Sequence, residues 1–205
     1  MLKKLKISSK AFNLALFFGL MCAICLSFAD FNVSCEDLRT NVLRLHIIAN
    51  SDSTPDQQLK LKIRDSILKE STNFFNEAQN TEDAVLIAQD NIEHYCDIAN
   101  RVIKENGFSY KATASVGNSY FETREYEDFT LPAGYYKSLI ISVGEAKGKN
   151  WWCVIFPEVC IPAATGNLSD TVSEKSSEVA NRSNRYIMRF KAVEIYENIK
   201  NLFKV

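Results

Sequence analysis

Two histidines, His46 and His94, and four cysteines beyond the apolar N-terminus, Cys35, Cys96, Cys153 and Cys160, are the side chains best suited to metal or nucleophilic chemistry. A hydrolytic zinc site takes three N, O or S ligands and a water. His46, His94 and Asp52 are the trio that could supply them, but none of the recurring ligand spacings such as H-E-x-x-H is present. A cysteine nucleophile needs a neighbour that lowers its pKa. Cys153 lies in Asn150-Trp151-Trp152-Cys153-Val154-Ile155-Phe156, whose apolar character acts the other way. There is no Gly-x-Ser-x-Gly elbow. Gly144-Glu145-Ala146-Lys147-Gly148 lacks the spacing of a phosphate loop and reads as a hairpin turn. Glu82-Asp83 and Glu127-Asp128 read as a helix start and a solvated turn. The residues favour a protein that acts by binding, with no catalytic residue, metal or cofactor expected.

The tryptophans are adjacent, so in a strand Trp151 and Trp152 point to opposite faces and both faces must be covered or used. Cys153 and Cys160, seven positions apart, can form a disulfide only if the chain reverses near Phe156-Pro157-Glu158. Otherwise Cys153 is a small buried hydrophobe. The N-terminus speaks to the compartment that would oxidise them. Lys3, Lys4, Lys6 and Lys10 precede an apolar run from Ala11 to Ala29 with small residues at Ser27 and Ala29. This is the pattern of a secretory signal peptide over residues 1–29, with an uncleaved anchor as the alternative. Its removal takes away four lysines and no acid, leaving a net charge of −5. No basic patch with interleaved aromatics marks a nucleic-acid interface. In an exported chain a Cys153–Cys160 bond is plausible, and Cys35 and Cys96 could pair if the fold brings them close.

The elements that must position these groups follow from periodicity. Asn41–Ala49 alternates, with Leu43, Leu45, Ile47 and Ala49 on one face and Val42, Arg44, His46 and Ile48 on the other, as a strand does. Asn50-Ser51-Asp52-Ser53 is a polar loop. Thr54 as N-cap and Pro55 as the first helical residue start a helix running to about Phe75. Leu59, Ile63, Ile67 and Phe74 form its inner stripe; Lys60, Lys62, Lys69 and Glu70 lie outside. A second helix begins at Thr81 and closes at Gly107. Strands are expected at Tyr110–Val116, Tyr120–Tyr126, Tyr136–Val143 and Trp151–Phe156. The sum is an α+β fold, a two-layer domain over residues 30–162 whose mostly antiparallel sheet is packed by two long helices. A polar linker (163–184) and an amphipathic C-terminal helical segment (185–205) complete the chain.

Several segments resemble the stage II sporulation protein R family of endospore-forming bacteria. They are Arg44-Leu45-His46-Ile47-Ile48-Ala49-Asn50-Ser51-Asp52-Ser53, then Asp56-Gln57-Gln58-Leu59-Lys60-Leu61-Lys62-Ile63-Arg64-Asp65. Leu131-Pro132-Ala133-Gly134-Tyr135-Tyr136, Gly148-Lys149-Asn150-Trp151-Trp152-Cys153-Val154-Ile155-Phe156-Pro157 and Arg189-Phe190-Lys191-Ala192-Val193-Glu194 follow in order. Glu122, Glu127 and Glu158 depart from the family pattern at turn positions. The resemblance implies a secreted intercellular signal, exported from the forespore into the space between the two septal membranes. Its implied partner is the membrane-embedded aspartic protease of the mother cell that processes the sigma-E precursor. The runner-up is a secreted zinc-dependent cell-wall or peptide hydrolase using His46, His94 and Asp52. For the partner surface, Arg44 and His46 share a strand face and Asn50, Ser51 and Asp52 lie at its end, so these five with Trp151 and Trp152 are the candidate contact residues. The competing role for the loop residues is a turn before the helix cap, with Arg44 paired to an acid such as Asp65.

Overall fold

The computed structural model describes residues 9–71, 74–126, 129–157, 171–181 and 186–202. Helix α1 (Ser9–Thr40) is followed by β1 (Leu43–Ile48), α2 (Thr54–Ser71), a 3₁₀ turn (Phe75–Glu77), α3 (Thr81–Asp90) and α4 (Ile92–Glu105). Then come β2 (Ala112–Phe121), β3 (Arg124–Glu125), β4 (Thr130–Leu131), β5 (Gly134–Val143), β6 (Asn150–Phe156), α5 (Glu174–Asn181) and α6 (Ile187–Leu202). The four long strands form one sheet in the order β2-β5-β1-β6, while β3 and β4 make a separate small hairpin. The fold is α+β, as expected. β1 runs parallel to β5 and antiparallel to β6, and β2 runs antiparallel to β5.

The alternation in β1 explains why it sits inside. Leu43, Leu45 and Ile47 join the larger core beneath α2, α3 and α4, with Leu59, Ile63, Ile67, Tyr95, Ile98 and Val102. Val42 joins a second cluster on the opposite face, with Leu38, Phe121, Leu131, Tyr136 and Val154. The last turns of α1 close that face, and a third cluster joins Phe31 and Cys35 of α1 to Val179 of α5 and Phe190 and Val193 of α6. Both sheet faces are therefore covered. α1 runs unbroken through Ala29, and its apolar part is long enough to cross a membrane, which is compatible with a signal sequence or an anchor.

Several expected boundaries move. The cap of α2 is Ser53, whose Oγ accepts from the Asp56 amide while its carbonyl accepts from Gln57. The long second helix divides at Asn91, whose side chain donates to the Ile87 carbonyl. Gly117-Asn118 does not separate two strands, because both residues continue the β2 ladder opposite Ser138 and Lys137. The turn after β5 is not a hairpin: β1 lies between β5 and β6, so residues 144–149 arch over the end of β1. Within the stretch expected as linker, Glu174–Asn181 is helical.

Candidate functional site at the end of β1 and the flanks of β6

The arch is held by the loop that follows β1. Asn50 fills it: its Oδ1 accepts from the Glu145 amide at 2.9 Å and its backbone carbonyl accepts from Lys147 at 3.2 Å. Ala49 accepts from the Gly148 amide, and Asp52 Oδ1 accepts from the Lys149 amide at 2.7 Å. A Cβ at Gly148 would overlap the Ser51 carbonyl, so this approach needs glycine. Gly144 and Ala146 supply the positive φ values of the turn.

Asp56, only 6% exposed, organises the loop from below. Its Oδ2 accepts from Ser51 Oγ at 2.5 Å and Asn50 Nδ2 at 2.9 Å, and its Oδ1 accepts from Tyr110 Oη at 2.5 Å. Burial favours the protonated acid, but the hydrogen bonds from Ser51, Tyr110 and Asn50 outweigh it and hold the carboxyl below its usual range. Tyr110 answers in the opposite sense, its phenol pushed up by burial and by the Asp56 acceptor. Lys60 is buried too, donating to Gln57 Oε1 at 2.6 Å and to the Lys149 carbonyl at 2.9 Å. Desolvation lowers its pKa, with Asp52 opposing. Helical spacing alone put Lys60 on the outer face; its place beneath the arch depends on a contact 89 residues away.

On the other side of β1, Arg44 is completely buried. Its guanidinium stacks over Phe121 at 3.9 Å and Tyr136 at 4.8 Å, and Nη2 donates to Tyr126 Oη at 2.6 Å. Nε and Nη1 have no hydrogen-bond partner. Arg44 thus offers a partner no surface, which corrects its expected place at an exposed edge. Asp65 is engaged by Arg64 instead. His46, half-buried, has Nδ1 3.3 Å from Ser119 Oγ and its ring against Phe121 and Trp152. Burial holds its pKa below the ordinary histidine value; the Arg44 charge adds to this and the Asn150 side chain opposes it.

The tryptophans divide between the faces as strand geometry requires. Trp151 packs against the larger core with Arg64 4.4 Å above its ring, and Trp152 against the second with Arg124 4.8 Å above. Each is half-buried, a lid with a cation over it. The seven candidate residues therefore do not form one patch: Asn50, Ser51 and Asp52 rim the arch, Arg44 is interior, and Trp151 and Trp152 face apart.

The zinc trio does not converge either. His94 lies on the exposed side of α4, 3.0 Å from Glu70, and Asp52 is committed to the Lys149 amide. Among the described residues no three His, Cys, Asp or Glu side chains gather as metal ligands. Cys35 is buried between α1, α5 and α6, whereas Cys96 donates to the Ala112 carbonyl from α4, so the two do not pair. Cys153 is buried in β6, and the Cys153–Cys160 bond rests on a residue outside the described ones.

Residues 39–166 match the family described as Stage II sporulation protein R (spore_II_R). Among curated proteins, Stage II sporulation protein R of Bacillus subtilis (strain 168) is 36% identical over 118 residues. That stretch is 58% of this chain and 53% of the relative, so the alignment spans about half the length of the protein it matches. No solved structure matches the fold.

Proposed function

Because the chain belongs to the stage II sporulation protein R family, and so to the machinery of spore formation, we propose that it is an exported intercellular signal. In this reading it leaves the forespore through its apolar N-terminal segment and enters the space between the two membranes. There it contacts the membrane-embedded aspartic protease of the mother cell and switches on cleavage of the sigma-E precursor. The observation that carries the reading is the family match over residues 39–166. The apolar stretch of α1 supports it, being compatible with a signal or anchor.

This reading draws its contact surface from those candidate residues that are open to solvent. Asp52 and the open parts of Trp151 and Trp152 are within reach of a partner, whereas Arg44 acts from inside by fixing β1 against Tyr126 and Phe121. The decisive experiment adds the purified chain to membranes carrying the protease and the sigma-E precursor. Cleavage should appear only when the chain is present, and should vanish when the protease's catalytic aspartate is replaced. Equal processing with and without the chain would end the proposal.

A further inference from the structure

Strand β2, ten residues long, is one border of the four-stranded sheet. The Gly144 amide donates to the Lys111 carbonyl, which sets the phase of the β2–β5 ladder. Bonded and non-bonded pairs alternate in an antiparallel ladder. Thr113, Ser115, Gly117, Ser119 and Phe121 therefore bond to β5, while Ala112, Ala114, Val116, Asn118 and Tyr120 turn their N–H and C=O groups to the open side. Ala112 is capped there: its amide donates to Asn100 Oδ1 at 2.9 Å and its carbonyl accepts from Cys96 Sγ at 3.2 Å. From Ala114 to Tyr120 no backbone group on that side has a partner among the described residues, and none of these seven residues is buried. Charged side chains, prolines and bulges are the usual devices that keep an edge from pairing. Ala112–Phe121 contains no charged residue and no proline, and its register with β5 runs without a shift.

We infer that the open edge of β2 pairs antiparallel with β2 of a second copy of this chain, joining the two sheets into one. The uncapped stretch Ala114–Tyr120 is centred on Gly117. A two-fold axis at Gly117 sets Ala114 opposite Tyr120 of the second copy and Val116 opposite its Asn118. All four such pairs are of the bonded kind, two bonds each, so about eight backbone hydrogen bonds form. Gly117 then faces its own copy in the closer, non-bonded pair, where the absence of a side chain leaves room. Charge selects the same register. Lys111 comes beside Glu122 and Thr123 of the second copy, once on each side of the axis. Lys111 and Glu122 are exposed, and neither has an ion-pair partner among the described residues. The Glu122 end is acidic: burial raises the Tyr120 phenol pKa, and Glu197, Glu194 and Glu122 add to it. Arg124 is turned away from this end, over Trp152 of β6 at the opposite border of the sheet. A parallel pairing in register would set Lys111 beside Lys111 and Glu122 beside Glu122. A strand of another protein would require no such match of Lys111, Gly117 and Glu122 within β2 itself. The inference does not depend on the protease reading above.

The test is sedimentation equilibrium of the full-length chain in a detergent matched to the solvent density, up to about 100 µM. The wild type should form a reversible dimer. N118P removes an amide that points away from β5, so the ladder within the chain is kept; it should weaken dimerisation by about tenfold or more with the circular dichroism spectrum unchanged. K111E and E122K each set like charges together at both ends of the seam and should each weaken the dimer by about fivefold. K111E/E122K restores opposite charges and should return the constant to within about twofold of wild type. This charge exchange keeps the test decisive if the proline variant misfolds. A chain that stays monomeric overturns the inference and leaves the edge to a foreign strand. A dimer indifferent to N118P and to both charge reversals forms through another surface, such as the apolar part of α1, and overturns it too. Failure of K111E/E122K to recover what the single variants lose overturns the antiparallel register.

Discussion

The Asp56 carboxylate is the point at which the β1–α2 loop, the arch and the start of β2 are tied together, and its removal gives a quantitative test. Asp56→Ala deletes three acceptor contacts at once, from Ser51, Asn50 and Tyr110. A hydrogen bond to a charged group contributes about 1.5–3 kcal/mol, and a stranded buried donor costs about 1–3 kcal/mol. Ser51, Asn50 and Tyr110 are each partly exposed, so water rescues part of the loss. A net cost of about 3 kcal/mol is expected, most of it from the Tyr110 and Ser51 contacts. Asp56→Asn keeps the shape but turns an amide toward a donor, and should cost about 2 kcal/mol. The pH dependence provides an independent check. Because the folded-state pKa lies below the unfolded one, this contribution is present above about pH 4 and lost as pH falls through the folded value. Urea unfolding followed by circular dichroism at pH 7 and pH 3 should show a wild-type excess over Asp56→Asn that shrinks in acid. An Asp56→Ala stability within about 1 kcal/mol of wild type would refute the assignment of Asp56 as the organiser.

Arg44→Ala should cost about 3 kcal/mol by leaving a cavity under Phe121 and Tyr136, whereas Arg44→Met, which keeps volume and removes a buried cation, should cost less than about 1 kcal/mol; denaturant titration compares them. Gly148→Ala should force the arch away from the Ser51 carbonyl and lower stability by about 3 kcal/mol, read as a drop in the urea midpoint. His46 has a folded pKa below its unfolded value of about 6.5, so the unfolded state binds the extra proton first and stability falls as pH drops through that value. His46→Phe should flatten this dependence between about pH 5 and 7, measured as the thermal midpoint in a pH series.

The two-faced burial of β1 was readable because its alternation is complete: Leu43, Leu45 and Ile47 against Val42, Arg44 and His46. α2 was readable from its turn chemistry, with an error of one residue at the cap, since Ser53 and Thr54 are equally good caps and only the Asp56 amide contact chooses between them. The arch was misread for a physical reason. Gly144–Gly148 has hairpin composition, and nothing local reports that β1, a hundred residues earlier, is inserted between β5 and β6. Gly117-Asn118 failed in the reverse sense, since a glycine with ordinary φ continues a ladder where the partner strand supplies the bonds. For the candidate site, the polar types at Asn50, Ser51 and Asp52 were visible, but apart from the local Ser51–Ser53 contact their partners are 5 to 97 residues away. The same is true of Arg44, whose polarity suggested an edge and whose aromatic cage places it inside.

The position of the apolar N-terminal segment carries the last consequence. α1 is exposed through Asp30 apart from a partly covered Ser27, and its burial begins at Phe31. The boundary therefore falls one residue past the expected cleavage point after Ala29. Phe31, Cys35 and Leu38 are buried, and Arg39 donates to the Ala133 carbonyl at 2.8 Å. Asp30 contributes only an exposed ion pair with Lys175, worth little in water. Loss of residues 1–29 should thus leave the thermal midpoint within about 2 °C of that of the full chain. Deletion through Thr40 removes three buried side chains at roughly 1.5–3 kcal/mol each and a buried guanidinium bond, a total near the whole stability of a domain this size. The chain from residue 41 onward should therefore lose cooperative unfolding. The folded body would be the same whether the apolar segment is cut away or retained, so release from a membrane would change where this protein is without changing its shape. A chain beginning at residue 41 that melts like one beginning at residue 30 would break this argument.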